Sequence, residues 1–171
     1  MTEVDVKVEI PHGGKIKYEW HDGKIICDRK LHTPFAYPFN YGYIQGTLSE
    51  DGDEIDAVIL TEYPLFPTCH IKCRIIGALL TEDEKGHDEK VLVVPVSSVD
   101  PSFEKIKDVT DLEEAKRDEI HFFFSNYKRL EPKKWVKVKD FISAIDAIEL
   151  YQKGIARRKG VQVEPPAHLY S

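Results

Sequence analysis

Asp51-Gly52-Asp53-Glu54-Ile55-Asp56 puts four carboxylates within six residues, directly ahead of the apolar run Ala57-Val58-Ile59-Leu60. Like charges repel at a strand start, and packing has no need of them; divalent cations cancel that repulsion. The donors are hard oxygens, which favour Mg²⁺, Mn²⁺ or Ca²⁺ over zinc or copper. A second acidic run, Asp83-Glu84-Lys85-Gly86-His87-Asp88-Glu89-Lys90, lies between two strand-like segments. Alone, it reads as a solvated hairpin tip, and the first run alone reads as an acidic Asp-Gly turn. If Asp83 and Asp88 converge with Asp51 and Asp56, the two runs can hold several divalent ions. Two ions roughly 3.5–4 Å apart are the usual device for displacement at phosphorus. Asp51 and Asp56 have opposite parity in an unbroken strand, and Gly52 is where the chain can bend to bring them to one ion. An EF-hand loop fails as a reading: Asp56 stands where its turn needs glycine, and the preceding Pro38–Tyr43 stretch is no helix. A calcium-stabilised structural loop stays open on this segment alone.

Phosphate oxygens also need cations and donors. Strand alternation sends Lys17 and Glu19 to the face opposite Ile16 and Tyr18, with Glu9 on the matching polar face of the preceding strand. Arg29, in Cys27-Asp28-Arg29, reads by itself as a surface arginine. Tyr37, Tyr41 and Tyr43 read as core aromatics. Tyr127 and Lys128 form a pair able to set a hydroxyl and an ammonium at a pocket rim. None of these signals is specific singly.

The elements that must carry these groups are mostly strands. Val4, Val6, Val8 and Ile10 alternate with polar residues up to Pro11, and Ile16, Tyr18 and Trp20 do the same before a His21-Asp22-Gly23 turn into Lys24–Leu31. Further strand-like runs are Ala57–Leu60, His70–Leu80 and Lys90–Val96. Short strands separated by turn signals predict a closed or nearly closed barrel. Thr110-Asp111-Leu112-Glu113 reads as a capping box opening a helix, whose apolar stripe is Ile120, Phe123, Phe124 and Tyr127. A second helix is expected after Asp140, with Phe141, Ala144, Ile145, Ile148 and Tyr151 on one face, ending around Gly154 and Arg157-Arg158-Lys159. The expected organisation is one domain over 1–160 and a flexible tail over 161–171, which contains Pro165-Pro166.

The chain has 171 residues, 24 basic and 30 acidic, for a net charge of −6. That length suits one domain burying roughly 70% of its unfolded surface. An acidic balance argues against nucleic acid, which wants a basic footprint. No apolar run approaches the roughly 20 residues of a membrane span, and the N-terminus lacks signal-peptide character, so no membrane association and a cytoplasmic location are expected. Cys27, Cys69 and Cys73 include no Cys-x-x-Cys pair. In a strand Cys69 and Cys73 stand about 13 Å apart, so reduced, packed thiols are expected.

In order along the chain stand Val8-Glu9-Ile10-Pro11, Ile16-Lys17-Tyr18-Glu19, Asp28-Arg29, Tyr37-Pro38-Phe39-Asn40-Tyr41-Gly42-Tyr43, Asp51-Gly52-Asp53-Glu54-Ile55-Asp56-Ala57, Asp83 to Asp88, Lys90, Ile106-Lys107-Asp108-Val109, His121-Phe122-Phe123 and Tyr127-Lys128. Together, from about Val4 to about Lys139, they resemble the soluble inorganic pyrophosphatases of family I, bacterial type. The acidic segment fits that family's signature, with glutamate at its fourth place. The resemblance implies a five-stranded OB-type β-barrel with two flanking C-terminal helices. It implies hydrolysis of pyrophosphate to two orthophosphates by direct attack of a metal-bridged water. It makes Asp51, Asp56 and Asp88 ligands of the first activating ion, Asp56 a bridge to the second, and Asp83 and Asp88 ligands of metal arriving with substrate. Glu19 would hold a further ion through water, and Asp53 would be the general base. Lys17, Arg29, Tyr41, Lys90, Tyr127 and Lys128 would hold the phosphates, with Glu9, Tyr37 and Glu84 in support. The implied cofactor is Mg²⁺, with Mn²⁺ or Zn²⁺ as substitutes and Ca²⁺ as inhibitor; the implied assembly is a homo-oligomer, a hexamer made as a dimer of trimers. The second helix, with Ile145, Ile148 and Tyr151, is a candidate contact. His87 departs from the acid or glycine of many relatives, and the tail exceeds the family core. A single-strand nucleic-acid binder on the same barrel, or a metal-dependent phosphoesterase or nuclease, are the alternatives.

Overall fold

The computed structural model describes residues 2–170. Strands β1 (Glu3–Ile10), β4 (Asn40–Ile44), β5 (Asp56–Ile59), β7 (Gly86–Pro95) and β6 (His70–Asp83) pair in that spatial order, and β1 pairs with β6 to close the ring. The expected five-stranded barrel is therefore present. β6 is long enough to serve two neighbours: residues 70–74 pair with β1, and Gly77 to Asp83 pair with β8 (Val136–Ser143). A separate hairpin, β2 (Ile16–His21) and β3 (Lys24–Lys30), stands apart from the ring. Helices α1 (Glu114–Asn126) and α2 (Ala144–Arg158) flank the ring. No described helix is long and apolar enough to cross a membrane.

β1 shows the alternation read from its sequence, with Val4, Val6, Val8 and Ile10 buried. The central strands do not alternate because both their faces are covered. Ala57, Ile59, Val91 and Val93 belong to one core, joined by Ala147 of α2, while Val58, Leu92 and Val94 belong to a second, joined by Ile120, Phe123 and Phe124 of α1. A strand buried on both faces reads as a continuous apolar run.

Several local expectations are corrected. Thr110 does not cap α1. The reciprocal box is Asp108 with Asp111, around the 3₁₀ turn Val109–Asp111, and α1 starts three residues after that turn, at Glu114, with no side-chain cap. Phe141 lies in β8, a strand the sequence reading missed together with β4. The buried face of α2 is Ala147, Leu150 and Gly154, while Ile145 is 80% exposed. Gly154 lies inside the helix: a Cβ there would stand 2.4 Å from Ile55 Cδ1, so a larger residue would displace the Ile55 side chain where α2 packs on the acidic segment. The cysteines are free, but Cys27 is exposed on β3 rather than packed. Residues 161–170 run beside α2 and the β6–β7 hairpin, with Glu164 O accepting from Lys153 and Tyr170 stacked on His87.

Candidate active site

The first acidic run is a compact turn. Ser49 N donates to the Asp53 carbonyl at 2.7 Å, and Asp51 Oδ1 accepts from the Ser49 hydroxyl and from Asp53 N; the hydroxyl oxygen also lies 2.9 Å from the Asp53 carbonyl. Gly52, at φ +92°, supplies the left-handed bend that brings Asp51 and Asp56 to the same cavity. α2 anchors the approach to this turn, since Leu48 N donates to Gly154 O and Arg157 Nη1 donates to Leu48 O.

The second run is the tip of the β6–β7 hairpin, as expected, with Asp83 opposite Gly86. The parallel pairing of β5 and β7 sets Asp56 beside Lys90, and Asp88 lies two residues back on the same face as Lys90. The buried Lys90 ammonium donates to Asp56 Oδ2, Asp88 Oδ2 and Tyr41 Oη, each at 2.8 Å. Beyond the end of α1, Lys128 donates to Asp83 Oδ2 at 3.1 Å. Asp83 Oδ1 accepts from Lys85 N, which ties the hairpin turn to its own acid.

A cavity of about 340 Å³ gathers Asp51, Asp53, Asp56, Asp83, Glu84 and Asp88 with Lys17, Arg29, Lys90, Lys128, Tyr41, Tyr127, Glu9 and Tyr37. One expected residue is outside it. Glu19 faces an adjoining hollow that shares Glu9, Lys17, Asp53 and Asp56 with the first, and Lys17 Nζ lies 3.5 Å from both Glu9 and Glu19. An aromatic wall backs the cavity: Phe123 packs on Tyr37 and stacks on Tyr127, at centroid distances of 4.5 and 5.4 Å. Lys30, His32, Lys85, Glu131 and Lys134 also line the cavity and were missed by sequence reasoning. They sit at strand ends and in turns, where no periodicity marks them.

Burial gives the site its electrostatics. It pushes the Glu9 carboxyl up to about 7, against the pull of Lys17 and with a push from Asp56. Asp56 is raised by burial and by Asp88, against Lys90. Burial also pushes on Asp88, but Lys90 and Lys128 more than offset it and hold that carboxyl below its ordinary value. Lys90 is driven well above its ordinary value by Asp56, despite desolvation.

These residues suit hard divalent cations. Every candidate ligand is a carboxylate, and the one buried cation between Asp56 and Asp88 is an ammonium, so the site is already built around positive charge. Three carboxylate or histidine ligand atoms within 4.8 Å of one another occur, among the described residues, only at Asp146, Glu149 and His168.

Comparison with known proteins decides the lineage. The family model for inorganic pyrophosphatase matches residues 6–159. The chain belongs to the inorganic pyrophosphatase family. It is 48% identical over 161 residues to the inorganic pyrophosphatase of Sulfolobus acidocaldarius, covering 93% of each chain, and 46% identical to that of Campylobacter jejuni, covering 92% of this chain and 93% of the other. The solved inorganic pyrophosphatase of Helicobacter pylori matches with a TM-score of 0.88 at 39% identity, over 92% of this chain and 94% of the other. That of Thermus thermophilus gives 0.85 at 42% identity, over 92% of each chain. Both acidic runs and every cavity residue named above fall within the matched span.

Proposed function

We propose that this protein hydrolyses inorganic pyrophosphate to two orthophosphates with Mg²⁺ as cofactor. The observation that carries the reading is the convergence of both acidic runs with phosphate-binding cations on one cavity, in a chain of the pyrophosphatase family. Asp51, Asp56 and Asp88 would hold the activating ions, with Asp56 serving both. Asp83 and Asp88 would hold metal that comes with the substrate, and Glu19 would hold a further ion through water. Bound ions lower the pKa of water and offset the charge of a polyanionic substrate.

The chain's own groups do the rest. Asp53 takes the proton from the attacking water. Lys17, Arg29, Tyr41, Lys90, Tyr127 and Lys128 grip phosphate oxygens and stabilise the charge that builds on the leaving phosphate, so no covalent intermediate is needed. Glu9 aims Lys17, Glu84 lines the hairpin side of the cavity, and Tyr37 walls its floor. Phosphate release from pyrophosphate should require Mg²⁺ and stop with excess chelator. Mn²⁺ or Zn²⁺ should restore it with looser specificity, and Ca²⁺ should inhibit. Undiminished activity after exhaustive chelation defeats the metal mechanism, and faster turnover of an organic phosphate ester favours a phosphoesterase instead.

The reading extends to a cytoplasmic hexamer. Free cysteines support a reducing compartment. Phe122 on α1 and Ile145 on α2, 60% and 80% exposed, are apolar surface that closed assembly covers, whereas Ile148 and Tyr151 already pack on the core. Light scattering of dilute protein should give a hexamer mass; an active monomer refutes the assembly and leaves the chemistry standing.

A further inference from the structure

The C-terminal segment beyond Gly160 and the unusual His87 meet in the structure. Lys153 of α2 donates to the Glu164 carbonyl at 2.7 Å. Pro166 is buried, and with Pro165 it borders a small hollow shared with Ser49, Ile55 and Glu89. His168 Nε2 then lies 3.6 Å from Asp146 Oδ1 and 3.8 Å from Glu149 Oε2, both on α2. The segment ends with the Tyr170 ring stacked on the His87 ring at 3.8 Å and 27°. Lys139 Nζ stands 5.8 Å from the same ring and 3.4 Å from Glu82. The segment therefore contacts the hairpin that holds Asp83 and Asp88, and it shares a hollow with the base of the turn that holds Asp51 to Asp56. Neither His87 Nδ1 nor Tyr170 Oη has a hydrogen-bond partner among the described residues, so the rings hold one another by stacking.

We propose that residues 161–170 form a strap that positions the β6–β7 hairpin for metal binding, with Tyr170 clamping the hairpin through His87. This rests on the reading of Asp83 and Asp88 as metal ligands. A clamped hairpin presents its acids already in place; an unclamped one must be ordered when the ion arrives, which lowers affinity without altering the bound geometry. Tyr170 is thus a positioning residue that never touches substrate. An aromatic ring, rather than a hydroxyl, is what the position needs.

Three variants test this: Tyr170→Ala, Tyr170→Phe and a chain ending at Gly160. Amide exchange over residues 84–87 of the metal-free protein should speed up about 2–10-fold in Tyr170→Ala and in the shortened chain, and stay unchanged in Tyr170→Phe. Calorimetric titration with Mg²⁺ alone should show affinity falling by a similar factor in the first two. Turnover at saturating Mg²⁺ should stay within about twofold of the parent chain. Unchanged exchange in Tyr170→Ala overturns the clamp. Faster exchange with unaltered Mg²⁺ affinity overturns its role in metal binding, as does a loss in Tyr170→Phe equal to that in Tyr170→Ala. Asp88→Asn, titrated alongside, separates the two readings: parent-like Mg²⁺ affinity there refutes the ligand assignment, whereas the exchange data judge the clamp independently.

Discussion

Asp53 and Asp56 are three residues apart and stand in different surroundings. Asp53 sits in an exposed turn held by its backbone, its carbonyl accepting from Ser49 N and its N–H donating to Asp51, while Asp56 starts β5 and is bonded to Lys90. Asp53→Asn should therefore fold, keep most metal affinity, and lose on the order of 10²–10⁴ in turnover, the usual worth of a positioned base. Asp56→Asn should weaken metal affinity first, because it removes one of the two carboxylates bonded to Lys90 and the ligand proposed to serve two ions. Metal titration of both variants decides the matter, and equal affinities mean that the two roles are misassigned. At this scale the acids were legible, since four carboxylates before an apolar run need a reason outside packing. The threefold bonding of Lys90 was not, because it depends on the register between β5 and β7, which no local pattern encodes.

Among the elements, the stripe of α1 was readable from its 3.6-residue spacing, and Ile120, Phe123 and Phe124 are buried as that spacing demands. Its start was misread. Thr110 and Glu113 match the capping pattern, yet Asp108 and Asp111 match the same geometry two residues earlier and win it. Asp108 does more than cap one turn. Its Oδ2 accepts from Thr110 N and Oγ1, and its Oδ1 accepts from Ala144 N at 2.8 Å, tying the region before α1 to the first residue of α2. Desolvation works against its charge, but these bonds, that from Ala144 foremost, hold the carboxyl below its ordinary value. Asp108→Ala should cost about 1–3 kcal/mol, read as a lower denaturant midpoint with an unchanged slope. Turnover per folded molecule should stay near that of the parent chain, because Asp108 lies outside the cavity. A midpoint equal to the parent's refutes the tie.

At the scale of the whole molecule, alternation in β1 and turn signals between the runs were enough to read a barrel, while the β1–β6 closure and the shared use of β6 by β8 rest on long-range register. What the barrel gathers is an excess of buried acid, and that sets a pH dependence. Burial raises Glu9 from 4.5 to about 7 and Glu89 likewise to about 7. Between those values the folded chain holds protons that the unfolded chain releases, so their contribution to stability is full below about pH 4.5 and is lost as pH rises toward 7. Asp88, held low, acts in the opposite sense, but only below its ordinary value of 3.8. In chelator the protein should thus melt higher at pH 5 than at pH 7.5, by about 5 °C. Mg²⁺ should raise the melting temperature more at pH 7.5, where it finds ionised carboxylates, than at pH 5, where protons compete for them. Glu9→Gln removes one of the titrating groups and should narrow the gap between the two pH values in chelator. A chelated protein that grows more stable from pH 5 to pH 7.5, or a Glu9→Gln variant with the full parental gap, shows that buried acid does not control the stability of this fold.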